Sequence, residues 1–399
     1  MKVIENGRDQ SVPLVPAKLE AYKALACSAS TPVTIPNGVL VVEDCVTKFF
    51  DDYILLDDSI GDEPHMEYIT GGEVELVDSD GYGLILPALA ERWSNELGSE
   101  EMYSGLCIRN AFCKGMVFPF DFIDFAEKVA KNYVVKDIWG NEVDIRFVEL
   151  ILTGSMLKLW DSYQSIDHYL QCCADNGRGF SVTKTCELKL RNSRELNYQF
   201  IQSYDLSDDD IRELVSPTIE DITGAMCGDV AKTLLFLKGV EQNENVYANT
   251  DEPFIKAMMI DSRVIGDTYI RSKVSQLIHK RADRAKLGRI RVDGDFMVIS
   301  GDPYSLCQSI FGLPVTGLLG RGEVFAWYWL DRNVNEVVCF RAPMTAHSNI
   351  RAMSIHCSDA ACYWYRYMKN VLVLNSWDMA TQALNGADKF LSPASAMMQ

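Results

Sequence analysis

Three stretches carry residue types suited to handling a phosphorylated substrate. Cys339 to Arg351 reads C-F-R-A-P-M-T-A-H-S-N-I-R. The run before it, Val334 to Phe340, is rich in Val and Phe and predicts a strand, so Arg341 falls where that strand ends. Pro343 fixes its own backbone angle and pushes Ala342 towards extended geometry. A guanidinium there is a planar fork of donors that keeps its charge, suited to a phosphate or a pair of sugar hydroxyls. On these residues alone, an ordinary strand-end ion pair is the commoner outcome. In the second stretch, Lys114 stands at a strand end before Gly115, where another group can approach closely and a compact ammonium can neutralise phosphate. A solvent-facing lysine with a buried stem is the everyday alternative. The third stretch holds Arg271, Lys273, Lys280, Arg281, Arg284, Lys286, Arg289 and Arg291 against the single acid Asp283. Most such runs are solvated helix faces, but inside an acidic chain this one suggests a phosphate-facing strip.

Other candidates read as structure. Ser207-Asp-Asp-Asp-Ile-Arg-Glu-Leu carries an N-cap serine with acids in the first turn, so capping explains the aspartates better than a metal does. Asn176-Gly-Arg-Gly-Phe-Ser lacks both a dinucleotide-fold context and the Gly-Lys-Ser/Thr of a P-loop, and reads as a loop. Asp293-Gly-Asp295 precedes an expected strand, Phe296 to Ser300, and reads as a hairpin turn; a cation held by both aspartates, as in a metal-dependent nuclease, is the minority alternative.

The elements that must position these residues are mixed. Val15 to Ala26 has helical spacing behind a proline, and Pro36 to Asp44 reads as a turn and then a strand, with no chemistry evident. Val74 to Val77 and Asp144 to Leu152 read as strands. Helical patterns cover Ile219–Met226, Val230–Lys238 and Phe254–Ile278. Gly312–Leu319 and Glu323–Leu330 look like turns and strands, the aromatics of Cys362–Met368 belong to a core by default, and Val371–Leu374 is a buried strand.

Composition narrows the class. The 399 residues suffice for two or three domains, and 48% hydrophobic with 24% charged residues is ordinary for a soluble globular protein. No run of about 18 apolar residues predicts a membrane span, and the N-terminus lacks a signal-peptide core. The 12 cysteines include no C-x-x-C pair, so reduced, mostly buried thiols and a cytoplasmic location are expected, without a zinc site. A net charge of −18 argues against adhesion to nucleic acid over the whole surface, leaving a local basic channel as the only route.

The segment R-A-P-M-T-A-H resembles the N-R-x-P-T-L-H segment of the large catalytic subunit of multisubunit RNA polymerases, and the R-x-P-x-x-H-x-x-x-(I/V)-R segment of single-chain RNA-silencing polymerases. Asp80-Gly-Tyr-Gly83, Arg109 with Lys114-Gly115, Ser155-Met-Leu-Lys158 and Asn385-Gly-Ala-Asp388 match further motifs of that superfamily, in the same order. Asn110-Ala111 stand where the family prefers glycines. Among its members, compact single-chain enzymes of phages and mobile elements are the most similar.

The resemblance implies an α+β fold: two double-psi β-barrel regions joined by a mostly helical connector, the second barrel incomplete. The divisions would be an N-terminal region over 1–70, a first barrel over 71–205, the connector with its basic strip over 206–288, and a second barrel over 289–399. It implies template-directed transfer of nucleotides from NTPs to an RNA 3′ end by a two-metal mechanism, with nucleic acid, RNA product and NTPs as partners and no membrane. Lys114 and Lys158 would meet phosphates and Arg341 the ribose; Arg109, His347 and Asn385 would touch substrate. Lys280, Arg281, Arg284, Lys286 and Arg289 would face nucleic acid, and Asp388 would be a ligand of Mg2+. After Asp388 the family's D-x-D-G-D pattern breaks, and Phe390-Leu-Ser-Pro stands where two further aspartates are expected. One carboxylate holds magnesium poorly. The sequence is therefore expected to be a fragment, a frameshifted product or a degenerate relative, nearly inactive as it stands. The alternative is a non-catalytic product that binds nucleic acid or a protein.

Overall fold

The computed structural model describes residues 6–13, 29–57, 65–196, 198–202, 205–238, 253–340 and 350–380. The chain divides into two compact units, Met1–Lys189 with Met297–Arg341 and Ser348–Gln399, and Leu190–Phe296 with Ala342–His347.

The first unit opens with β1 (Thr31–Pro32), β2 (Val39–Val42) and a long hairpin, β3 (Val46–Asp57) and β4 (His65–Val77). Next come β5 (Tyr82–Ile85), β6 (Leu106–Asn110), β7 (Cys113–Pro119), the small pair β8 (Val134–Lys136) and β9 (Glu142–Asp144), β10 (Leu150–Thr153) and β11 (Ser181–Thr185). The second unit holds β12 (Ser193–Glu195) and β13 (Arg291–Asp293). The chain then returns to the first unit with β14 (Val298–Ser300), β15 (Glu323–Phe325), β16 (Glu336–Phe340), β17 (Ile350–Ile355) and β18 (Val371–Leu374).

Two mixed sheets result, a seven-stranded one in the order β1-β11-β6-β7-β5-β10-β2 and a five-stranded one in the order β14-β18-β15-β17-β16. Their pairing rules coincide. In the first, β2 runs parallel to β10, β10 antiparallel to β5, β5 parallel to β7, and β7 antiparallel to β6. In the second, β14 runs parallel to β18, β18 antiparallel to β15, β15 parallel to β17, and β17 antiparallel to β16. Five strands taken in chain order thus make the same connections twice, although the sequence shows no matching repeat. Even the junctions agree: Gly81 before β5 accepts from the Met116 amide, and Gly322 before β15 accepts from the Ser354 amide, each at 2.9 Å.

The seven-stranded sheet is apolar on both faces because each face has its own core. Leu40, Val42, Leu84, Phe118 and Ile151 point into a core shared with Phe325, Trp364, Tyr365, Val371 and Val373 of the second half. Their neighbours Val39, Val41, Ile85, Val117, Leu150 and Leu152 point the other way, onto Trp93, Tyr169 and Phe180. Short all-apolar strands such as Val371–Leu374 follow from this two-sided burial.

The second unit is mainly helical. Helix α1 (Asp208–Met226) starts at Ser207, whose hydroxyl accepts from the Asp210 amide while the Asp210 carboxylate accepts from the Ser207 amide. This reciprocal capping box is the role expected for the triple aspartate. Helices α2 (Val230–Lys238), α3 (Pro253–Ile260) and α4 (Thr268–Lys286) follow, and Leu234, Ile255, Met258, Ile270 and Val274 form a small core among them.

Several elements differ from their expected form. Phe254–Ile278 is not one helix, because the Asp261 and Asp267 carboxylates each accept from amides just ahead and restart the chain there. Asp144–Leu152 begins with a 3-10 turn over Ile145–Phe147 before β10. Asp293-Gly-Asp295 does not close a hairpin onto the following strand: β13 pairs with β12, whereas β14 pairs with β18. The stretch expected as strand over Glu323–Leu330 turns helical at Trp327. The described residues therefore form a mixed α+β protein, in which no described helix is long and apolar enough to cross a membrane.

Candidate functional site

The β6–β7 hairpin presents two cations side by side. Arg109 and Lys114 are direct cross-strand partners in its antiparallel register. The turn between them is Ala111-Phe112, and Phe112 adopts φ +54, a left-handed angle unusual for an aromatic residue. Neither Asn110 nor Ala111 takes that conformation, so the turn closes without glycine. Phe112 is held there by burial, by the Lys158 amide donating to its carbonyl at 3.0 Å, and by the Tyr169 hydroxyl donating to the adjacent Ala111 carbonyl at 2.6 Å.

Lys158 arrives from a different part of the chain. After β10, residues 153–158 turn back so that Leu157 bridges Cys113 in antiparallel fashion, and the Lys114 amide donates to Met156 at 3.1 Å. The two lysines therefore flank one backbone bridge. The Lys158 ammonium lies 3.7 Å from Asp80, a largely exposed carboxylate in the turn before β5. Lys114, half-buried, makes no side-chain hydrogen bond or ion pair among the described residues. Arg109 donates to the Ile108 carbonyl at 2.7 Å, and its buried Nε has no partner among the described residues. The buried Cys113 thiol beneath is pushed up to about 12 by desolvation, against the pull of the Arg109 and Lys158 charges, and stays protonated.

The turns themselves are tightly tied. The Gly81 amide donates to Ser155 Oγ at 2.8 Å, and Thr153 Oγ1 donates to the Tyr82 carbonyl at 2.9 Å. Gly83 and Gly115 lie where β5, β7 and the Met156 side chain meet, with no room for a Cβ. The structure thus brings Asp80-Gly81, Arg109, Lys114 and Lys158 to one end of the seven-stranded sheet.

Arg341 and His347 lie in the connection from β16 to β17, and Asn385 and Asp388 beyond residue 380; all four are outside the described residues.

The basic strip sits on α4 and just beyond it. Arg281 and Arg284 both pair with Glu195 of β12, and Lys286 pairs with Asp283 at 3.0 Å. Lys280 and Arg289 are exposed. Asp295, the candidate nuclease ligand, is enclosed and pairs with Arg194, while Asp293 lies in the β12–β13 ladder. Among the described residues, no three His, Cys, Asp or Glu side chains cluster so as to hold a metal ion.

Asp44 was invisible to sequence reasoning. It follows Glu43 in the loop after β2, and nothing local sets it apart from that neighbour, yet it accepts from the Ser155 amide at 2.8 Å and from the Ser79 hydroxyl at 3.2 Å.

The profile of the RNA dependent RNA polymerase family matches residues 9–388, and the chain belongs to that family. It is similar to the DNA-directed RNA polymerase YonO of Bacillus phage SPbeta, with 26% identity over 301 residues that make up 74% of this chain and 33% of that one. Its fold is similar to that of the RNA dependent RNA polymerase QDE-1 from Thielavia terrestris, with a TM-score of 0.55 and 15% identity over 91% of this chain and 36% of that one. The chain thus spans about a third of the length of each of these relatives.

Proposed function

We propose that this chain serves template-directed RNA synthesis, the transfer of nucleotides from NTPs to an RNA 3′ end, and that its two topologically matched sheets are the two double-psi barrels of that enzyme class. The observation that carries this reading is the meeting of Arg109, Lys114 and Lys158 at one sheet end. Like charges directly opposed across a ladder repel, and the partly exposed Asp80 is one modest counter-charge. Such a cluster is stable when an anion lies among the cations, and a triphosphate or an RNA 3′-terminal phosphate supplies it.

In this role Lys114 and Lys158 absorb charge on the phosphates and Arg109 extends the cluster along β6, so the contribution is positioning and charge neutralisation. Arg341 on the ribose, and His347 and Asn385 as further substrate contacts, are the remaining residues proposed for this role; all three lie outside the described residues. The family implies Mg2+, but the described residues offer no ligand set for it; Asp388 is the residue proposed to contribute. The free thiols Cys45, Cys113, Cys172, Cys173, Cys186 and Cys307, all buried, support a reducing compartment such as the cytoplasm.

The test is paired. Equilibrium dialysis with labelled ATP should show binding, and an incorporation assay on DNA and RNA templates should show little magnesium-dependent synthesis, because Asp388 stands alone where the motif has three aspartates. Absence of ATP binding would contradict the phosphate site. Robust synthesis would contradict the single-carboxylate expectation. Binding to RNA without ATP would favour the alternative, a non-catalytic nucleic-acid-binding product.

Glu195 offers a second handle on the basic strip. Glu195→Gln frees two guanidiniums, so the log–log salt slope of polynucleotide binding should steepen by about 1 to 2. Loss of these partly exposed pairs should lower stability by only about 1 kcal/mol or less. Fluorescence anisotropy against salt reads the slope, and an unchanged slope would remove Arg281 and Arg284 from any nucleic-acid surface.

A further inference from the structure

Two turns carry the cation cluster, and a single carboxylate joins them. Asp44 Oδ2 accepts from the Ser155 amide at 2.8 Å, while Oδ1 accepts from the Ser155 hydroxyl at 2.5 Å and the Ser79 hydroxyl at 3.2 Å. Each hydroxyl accepts in turn from an amide of a neighbouring segment: Ser155 Oγ from Gly81 and Ser79 Oγ from Cys45, both at 2.8 Å. Every proton in this relay points towards Asp44. A carboxylate, which only accepts, satisfies that arrangement; a carboxamide sets an N–H against a donor.

The two turns at the ends of the relay hold the lysines. Ser155 begins the run Ser155-Met-Leu-Lys158. Gly81 fixes the start of the Lys114 strand, because its carbonyl accepts from Met116. The second half repeats the device at the matching place. There the Gly322 amide donates to the buried Asp378 at 2.8 Å, and Asp378 accepts from Asn375 Nδ2 at 2.5 Å, just after β18. In both halves, the residue before the second strand of the repeat is tied to the segment after the fifth.

We propose that Asp44 is a positioning residue, which through Ser155 sets where Lys158 stands relative to Lys114. What the two lysines bind rests on the phosphate reading above; that Asp44 places Lys158 does not. Pyridoxal 5′-phosphate labelling of the full 399-residue chain, with borohydride reduction and peptide mapping, separates the two. ATP should protect both lysines in the parent chain. In Asp44→Asn, protection should persist at Lys114 and be lost at Lys158, and without ATP the labelling rate at Lys158 should rise about fivefold, the factor corresponding to one lost hydrogen bond. A purely structural staple would move both lysines together or neither. Should Asp44→Asn fail to fold, Ser155→Ala keeps the backbone free to bond Asp44 and should shift Lys158 in the same direction. An unchanged Lys158 rate with retained protection, in a folded variant, overturns the proposal. If ATP protects neither lysine in the parent chain, the phosphate reading fails while the rate comparison still decides the role of Asp44.

Discussion

Lys114→Ala is expected to weaken ATP binding by about tenfold to a hundredfold while leaving the fold as stable as before, or more so. A charge-assisted hydrogen bond contributes roughly 1.5–3 kcal/mol, and a lysine on a phosphate makes at least one. The stability arm has the opposite sign. Lys114 faces Arg109 directly across the β6–β7 ladder, and relief of a like-charge cross-strand pair is worth about 0.2–1 kcal/mol. Lys114 has no ion pair among the described residues whose loss would offset this gain. Lys114→Glu sharpens the contrast: it creates an ion pair with Arg109, so it should raise the thermal midpoint further and abolish binding. Equilibrium dialysis and thermal unfolding of the same samples make the check. If binding and stability fall together, Lys114 belongs to the scaffold and the phosphate assignment is lost.

Gly115→Ala should be among the most destabilising single-methyl changes in the first sheet. A Cβ there would sit 2.4 Å from the Gly81 carbonyl oxygen and 2.6 Å from the Met156 methyl group. The methionine can swing aside, but the carbonyl cannot, because it already accepts from the Met116 amide at 2.9 Å. Overpacking of this kind costs about 3 kcal/mol or more when backbone must move. Gly179→Ala is the control, since nothing lies within 4 Å of a Cβ at that position; it should be neutral or slightly stabilising through a stiffer unfolded chain. Chemical denaturation of the two variants compares them. Equal stabilities would mean that β5 and β7 are not in the close contact that brings Gly81 against the Lys114 strand. The effect should also reach the site, because parting these strands displaces Lys114 from Lys158.

Gly115 after Lys114 permits close approach of another group, and the approaching group is the Gly81 carbonyl, part of the polypeptide itself. Glycine spacing along the chain marks where a close approach occurs but not which group makes it. Arg281 and Arg284 show the converse. Their density on one helix suggested a free basic face, yet Glu195, 86 and 89 residues away, sits between them. A count of charges along a helix does not reveal a counter-ion delivered by a distant strand. The Asp293–Asp295 turn failed as a hairpin for a related reason: the alternation that makes β14 a strand says nothing about which neighbour it will pair with.

By itself the sequence determined what nearest neighbours decide. The Ser207 cap and the buried run Val371–Leu374 follow from hydroxyl and carboxylate caps and from apolar runs within a few residues. Ordered short motifs added the family. Only the tertiary structure decided which cations meet, that Asp44 ties their turns together, and that five strands repeat one set of connections in each half. Those outcomes depend on sheet register and on backbone hydrogen bonds across dozens of residues, where the pairing energy is spread over groups every residue carries and leaves no mark in residue type.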